Sequence, residues 1–381
     1  MHRLDNTVQT YAWGSTTAIA QLLGLPESKK PQAELWLGAH PSAPSKVEGR
    51  SLEAVIAEAP TAMLGDAVRQ RFGDRLPFLL KVLAAAKPLS LQAHPSLAQA
   101  TAGFAREEAS HVPRDASHRN YRDANHKPEL ICALTPFRAL CGFRDVAQTH
   151  ALLSGLGVAA LAPLLQTLER KGLAGFFEQV MTLPMQAREP LVKAVVLACG
   201  RTPVPGREAE CLNAVALEKQ YPGDIGVIGA LLLNLVELAP GEALALGAGN
   251  LHAYLEGTGI ELMANSDNVL RGGLTPKHVD VPELLRVLDF THGPARVVTP
   301  TAGSEAVYPT PFPDFRLSRL DVNGSLELGR LGPDIVLCTE GSVVVNGLTL
   351  ERGGSAFAPF SDGALKLSGH GTLFRATVNA P

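Results

Sequence analysis

Cysteine is scarce and follows no metal-binding or disulfide pattern. The five residues, Cys132, Cys141, Cys199, Cys211 and Cys338, are odd in number, and no two form a CxxC pair. A reducing compartment fits such usage best. Blocks of one charge are missing as well. The net charge is −3 and no long run of Lys or Arg occurs. This argues against nucleic acid or an acidic membrane surface as the main partner, while a small anionic ligand needs only a few local cations. The first residues, "MHRLDNTVQTYAWG", lack the apolar stretch of a secretory signal. The longest aliphatic run, "IGVIGALLLNLVEL" (225–238), has no charge before Glu237 but falls short of the ~20 residues a membrane span needs. The expectation is a soluble cytoplasmic protein that engages neither nucleic acid nor membrane. Low-complexity tracts and short-period repeats are also absent.

What is present is ample core material. Hydrophobic residues make up 46% of a chain of 381 residues, too long for one core, so two or three domains are expected. Residues 1–145 read as mixed and turn-rich. Within them, "AELWLGAHPSAPSKV" (33–47) alternates like a strand and then breaks. "SLEAVIAEAP" (51–60) reads as a helix capped by Ser51. "LPFLLKVLAAAKPLSLQAHP" (76–95) reads as two strands around a Lys-Pro break, 100–125 as an exposed polar excursion, and 128–143 as strand again. From Val146 to Gln220 apolar residues recur at three-to-four spacing, the mark of a helical insert. A helix is expected over 225–235, then short strands, with "EGTG" forming a tight hairpin, and further short strands with Gly and Pro turns from 294 onward.

Three stretches carry chemistry. In "PLSLQAHPSL" (88–97), Ser90, Gln92 and His94 share one face of an extended segment, and Leu89, Leu91 and Ala93 share the other. A histidine two positions from an amide oxygen can bind one metal with it, although a solvated strand edge has the same pattern. "YRDANHKPEL" (121–130) places Asn125, His126, Lys127 and Glu129 together, with Lys127 and Glu129 on one face and His126 on the other if the segment is extended. In 250–280, His252 and Tyr254 share a face, as do Glu261 and Met263, and "NSDNVLRGGLTPK" sets Asp267, Arg271 and Lys277 on a Gly-rich loop suited to an oxyanion. Together they supply two histidines, a carboxylate and an amide for a metal, with cations and a spare acid besides. No cysteine sits among them at a thiolate-ligand spacing, so a catalytic site with N and O ligands is expected, and Zn²⁺ suits such donors.

These same stretches resemble the type I mannose-6-phosphate isomerases (phosphomannose isomerases), zinc enzymes on a cupin-like β framework. "VQTYAWGS" (8–15), "AELWLGAHP" (33–41), the segment 76–95, "YRDANHKPE" (121–129) and "HAYLEGTGIELMANSDNVLRGGLTPK" (252–277) carry the resemblance. It implies a mainly β protein with a helical insert, in three parts. These are a discontinuous cupin-like jelly-roll catalytic domain (1–145 and 221–293), an all-α domain (146–220) and a C-terminal β-sandwich or jelly roll (294–381). It implies one Zn²⁺ per chain held by Gln92, His94, Glu129 and His252. Arg271 falls on the family's active-site arginine, Lys127, Glu261 and Asp267 on other pocket residues, and Ser90 and Lys277 on its phosphate anchors.

The implied activity is interconversion of D-mannose 6-phosphate and D-fructose 6-phosphate by a monomer, through a cis-enediolate, with Glu261 or Lys127 as the base. A non-catalytic cupin-like sugar-binding protein and an isomerase of another phosphosugar are the alternatives. A fused guanylyltransferase is not expected, because no separate domain of that size and no Gly-rich phosphate loop near the start are present.

Overall fold

Strand side chains alternate between two faces, and four strands of this chain use that alternation to divide a core from a cavity. In the computed structural model, which describes residues 1–379, Glu34–Gly38, Phe78–Ala85, Glu129–Ala133 and His252–Ala264 lie side by side, all antiparallel. One face presents Leu35, Leu37, Leu80, Val82, Leu130, Cys132, Ile260 and Leu262 to a buried core. The opposite face presents Glu34, Trp36, Lys81, Glu129, Glu261 and Met263 to a cavity. Ala243–Leu246 and Val297–Val298 extend this sheet on one side, and Thr7–Gln9 on the other. Gln92–Ala93, Phe137–Phe143, Leu233–Leu238 and Leu270–Arg271 complete its eleven strands.

A second, seven-stranded sheet carries the long strands Arg316–Leu328, Asp334–Val345 and Leu365–Thr377. Leu317, Ile335, Leu337 and Phe374 from this sheet enter the core beneath the first one. The two sheets exchange edges. His2–Arg3 from the chain's start pairs with Phe357 and Ala356 of the second sheet, whereas Val297–Val298 stays with the first. The division between sheets therefore does not follow a single cut at residue 294. Residues 380 and 381, the end of the expected C-terminal part, lie outside the described residues.

The expected helical segment forms Val146–Gly155, Ala162–Met181, Met185–Arg201 and Glu208–Gln220. Their apolar faces enclose a core with Leu91, Ala93, Leu251 and Leu270, which back the strands of the site. Helix is not confined to this insert. Leu52–Glu58 forms with the Ser51 hydroxyl accepting from the Ala54 N–H, as expected, and Val281–Val287 forms near the cavity. The chain is thus a mixture of helix and antiparallel sheet. Among the described residues, no helix is long and apolar enough to cross a membrane, and all five cysteines are free and buried.

Three local expectations are corrected. The stretch 100–125 is not a simple exposed excursion. Its first part belongs to the helix Leu97–Ala109, opened by a capping box between Ser96 and Gln99. The following loop is organised by Arg119, whose buried guanidinium donates to the Tyr121 carbonyl (2.7 Å) and to Glu108 (2.7 Å). Second, the helix expected over 225–235 is only Gly226–Ala230, and Leu233–Leu238 is a strand beside Phe137–Phe143. An aliphatic run without period does not distinguish the two.

Third, "EGTG" is no hairpin. His252–Ala264 is one strand of 13 residues. Gly257 takes φ +122°, where a Cβ would lie 2.7 Å from the Pro136 carbonyl, so only glycine fits. A register shift between Tyr254 and Glu256 marks a bulge. The extra residue changes parity. His252 and Tyr254 before it, and Glu261 and Met263 after it, consequently line the same cavity.

Candidate active site and metal centre

The cavity on the polar face of the first sheet has a volume of about 570 Å³. Gln92, Glu129 and His252 line one part of its wall, and His94 is buried beside them. Ligand atoms of His94, Glu129 and His252 lie within 4.8 Å of one another. His94 Nε2 is 3.3 Å from one Glu129 oxygen and His252 Nε2 is 3.4 Å from the other. Each imidazole is turned by a backbone carbonyl. His94 Nδ1 donates to Asn268 O (2.7 Å) and His252 Nδ1 to Asn250 O (3.0 Å). A carbonyl only accepts, so the proton sits on Nδ1 and the Nε2 lone pair faces the other ring and Glu129.

His94 Nε2 is buried with no hydrogen-bond partner, an orphan atom of the kind a metal satisfies. Burial, aided by the Lys127 charge, lowers the His94 imidazole to about 4, so the ring is neutral as ligation requires. Burial alone would push Glu129 up. Lys127 and the histidines outweigh it and hold the carboxylate well below its usual range. Two imidazoles and an ionised carboxylate form a donor set that fits Zn²⁺. Gln92 stands opposite His252 in the strand pairing and lines the same cavity.

Deeper in the cavity two ion pairs sit side by side. Lys127 Nζ donates to Glu129 Oε1 at 2.8 Å. Lys81 Nζ lies 3.0 Å from Glu261 Oε2 and 3.4 Å from Glu34 Oε1, and 5.2 Å from the Trp36 ring centroid. Trp36 Nε1 in turn donates to Glu34 (2.8 Å). Burial opposes the Lys81 charge, but Glu261, Glu34 and Glu129 more than compensate and raise its pKa. Burial raises Glu261, with Lys81 opposing and Glu129 reinforcing the shift. The Tyr254 hydroxyl is buried against the same pocket without a hydrogen-bond partner.

Asp267 is held below its usual range first by a hydrogen bond from His40, whose Nε2 lies 3.5 Å away. Arg271, Lys277 and Ser90 line the cavity toward its open end. Their loop is tied down from the helical side, where Asp224 accepts from Gly226 N (2.7 Å) and Thr275 N (3.0 Å). Gly273 passes so close to Gly226 that a Cβ would lie 2.6 Å from its Cα. Leu274 follows at φ +55°, a left-handed conformation that costs about 1–2 kcal/mol.

Ser90, Gln92, Lys127, Glu129, His252, Glu261, Asp267, Arg271 and Lys277 thus line this one cavity, His94 belongs to the metal cluster at its wall, and Asn125 lies outside it. His126 faces away, its Nε2 3.0 Å from both Asp314 oxygens. Sequence reading missed Lys81, although a lysine in the middle of "FLLKVLAA" is the signal of a buried ion pair. It also missed His40, Arg122 and Asn268. Asn268 accepts from Arg122 N (2.7 Å) and donates to the Asp123 and Asn125 carbonyls (both 2.8 Å), locking the two site loops together.

The chain is similar to known proteins of one family. Residues 1–146 match the family model described as phosphomannose isomerase type I, catalytic domain. The chain is 41% identical over 392 residues to mannose-6-phosphate isomerase of Escherichia coli (strain K12), covering 98% of this chain and 99% of that one. It is 35% identical to the Homo sapiens enzyme of the same name, covering 93% and 92%. A crystal structure of zinc-bound mannose 6-phosphate isomerase superimposes with a TM-score of 0.91 at 40% identity, over 99% of both chains. With its metal-ligand cluster and cation-lined cavity in one fold, this chain belongs to the mannose-6-phosphate isomerase family.

Proposed function

We propose that this chain interconverts D-mannose 6-phosphate and D-fructose 6-phosphate with one Zn²⁺ held by Gln92, His94, Glu129 and His252. The observation that carries the reading is the buried His94–Glu129–His252 cluster on the wall of the same cavity as Arg271 and Lys277. Zinc bound there supplies a Lewis acid for an oxyanion developing next to the reacting carbons. The protein's own groups do the rest. Ser90 and Lys277 hold the phosphate at the open end, so that binding energy orients the sugar. Arg271 places a fixed positive charge beside the cis-enediolate.

Glu261 is our choice of base. It takes the proton from C2 of the open-chain aldose and returns it to C1, while a hydroxyl proton passes from O2 to O1. Lys127, the other candidate, donates a hydrogen bond to the proposed ligand Glu129 at 2.8 Å, and we assign it the role of orienting that carboxylate. Asp267, fixed by His40, is poised to accept from a sugar hydroxyl.

We also read the first sheet as a cupin-like jelly roll built mainly from a domain of 1–145 and 221–293, with 146–220 a helical domain and 294–381 a second β domain, the two β domains exchanging the edge strands His2–Arg3 and Val297–Val298. We read the chain as a monomer. Free cysteines support the cytoplasm as its location.

The deciding experiment is a coupled assay for fructose 6-phosphate, run on mannose 6-phosphate with and without chelator. Activity that disappears on chelation and returns with Zn²⁺ is expected. Full activity in metal-stripped protein would overturn the metal-dependent mechanism. Binding without turnover would favour a sugar-binding protein, and preference for glucose 6-phosphate another isomerase.

A further inference from the structure

The charges that line the cavity divide into two groups. Those around the metal cluster are paired: Lys127 with Glu129, and Lys81 with Glu261 and Glu34. Asp267 is engaged by His40. At the other end Arg122, Arg271 and Lys277 line the same cavity, and among the described residues none of their charged groups makes a hydrogen bond or ion pair with the protein. They feel one another. Burial and the charge of Arg122 lower Arg271, and burial, Arg271 and Arg122 lower Lys277.

Arg122 and Lys277 are exposed and Arg271 is half-buried, so solvent screens the repulsion among them, and the Arg122 charge also acts on Asp267. An anionic ligand seated among them replaces that screening with direct charge-assisted hydrogen bonds. Arg122 is not there by accident of a loose loop. Its own N–H and that of Asp123 donate to the Asn268 side chain (2.7 and 3.3 Å), and Asn268 O accepts from His94. Arg119 fixes the preceding turn. The Arg122 backbone is thus tied to the strand segment that carries the metal cluster.

Building on the isomerase reading, we propose that Arg122 is a specificity residue that, with Arg271 and Lys277, makes the open end of the cavity selective for a dianionic phosphate over singly charged or neutral sugars. A lone lysine is a point charge that one oxygen of a monoanion can satisfy. A planar guanidinium added to it can take two phosphate oxygens at once.

The test is steady-state kinetics and phosphate-binding calorimetry on the zinc-loaded full chain, comparing the unsubstituted protein with Arg122→Gln and Arg122→Lys. Arg122→Gln is expected to raise KM for mannose 6-phosphate about tenfold, leave kcat within about twofold, and weaken inorganic phosphate binding in parallel. Arg122→Lys should recover part of the loss. Discrimination between mannose 6-phosphate and the monoanionic mannose 6-sulfate should shrink in Arg122→Gln. An unchanged KM and unchanged phosphate affinity, a fall in kcat alone, or undiminished discrimination against the sulfate would overturn the assignment. If the unsubstituted protein binds phosphate but turns over no mannose 6-phosphate, the isomerase reading fails while the calorimetric comparison still decides the role of Arg122.

Discussion

Gln92 stands directly opposite His252 in one antiparallel ladder and opposite Arg271 in the next. The short strand Gln92–Ala93 thus lies between a residue of the metal cluster and the loop cation. Side chains on its other face, Leu91 and Ala93, are fully buried against the helices. The segment cannot slip by one residue without exchanging its polar and apolar faces.

From the metal cluster, replacing His94 or His252 by alanine should abolish stable zinc binding. The loss should exceed the ~10–100-fold that removing a residue behind a ligand usually costs. Metal analysis after dialysis checks this. Retention of a full equivalent of zinc in either variant would show that the cluster is not the metal site.

Arg271 and Lys277 should separate binding from chemistry. Arg271→Ala should keep its zinc and lose kcat by about 10²–10³-fold, the range seen when an oxyanion partner is removed. Lys277→Ala should keep zinc and raise KM instead. Parallel kinetics and metal content settle both, and equal zinc loss in Lys277→Ala would count against its placement at the phosphate.

Lys81 is a test of stability. It is 5% exposed and bridges Glu34 and Glu261. Lys81→Met leaves both carboxylates buried without their cation, a change that typically costs about 3–5 kcal/mol. Denaturant unfolding would measure it. A cost below about 1 kcal/mol would mean that the carboxylates find other partners or take up protons cheaply.

Acid sensitivity should arise partly in the second sheet. Glu305 accepts from Ser318 (2.8 Å) and Arg375 (3.0 Å) and pairs with Arg316 (3.0 Å). Burial raises its carboxyl, but Arg375, Ser318 and Arg316 outweigh burial and hold it below the usual carboxylate range. A lowered folded-state value contributes stability that is full above the unfolded value and is lost as pH falls through the folded one. Asp334 is pushed up by burial and acts in the opposite sense, so the useful quantity is the difference between parent and Glu305→Gln. That difference should be largest near neutral pH and shrink below about pH 4.5. A difference independent of pH would refute the linkage.

The site was more legible than the fold around it. The ligand candidates stood out because strand alternation and a Pro-extended segment put Gln92 with His94, and Lys127 with Glu129, on common faces. No spacing argument showed that His252 and Glu261 share one strand, because the bulge at Tyr254–Glu256 breaks the parity on which such arguments depend. Lys81 was hidden by its apolar neighbours. Its partners Glu34 and Glu261 are distant in sequence and meet it only through strand pairing. The helix Leu97–Ala109 did carry a local signal, Ser96 with Gln99, but the mixed charges after Ala105 concealed it. Helices Leu52–Glu58 and Val146–Gly155 could be read because caps and period agreed locally.

The exchange of edge strands has a consequence for how the chain is made. His2 and Arg3 find their backbone partners only at Phe357 and Ala356. At synthesis rates of about 5–20 residues per second, His2 and Arg3 wait roughly 20–70 s for the strand that pairs with them. Closure of this edge is thus a late, long-range event: until Phe357 and Ala356 are in place, the backbone of His2 and Arg3 has no strand partner.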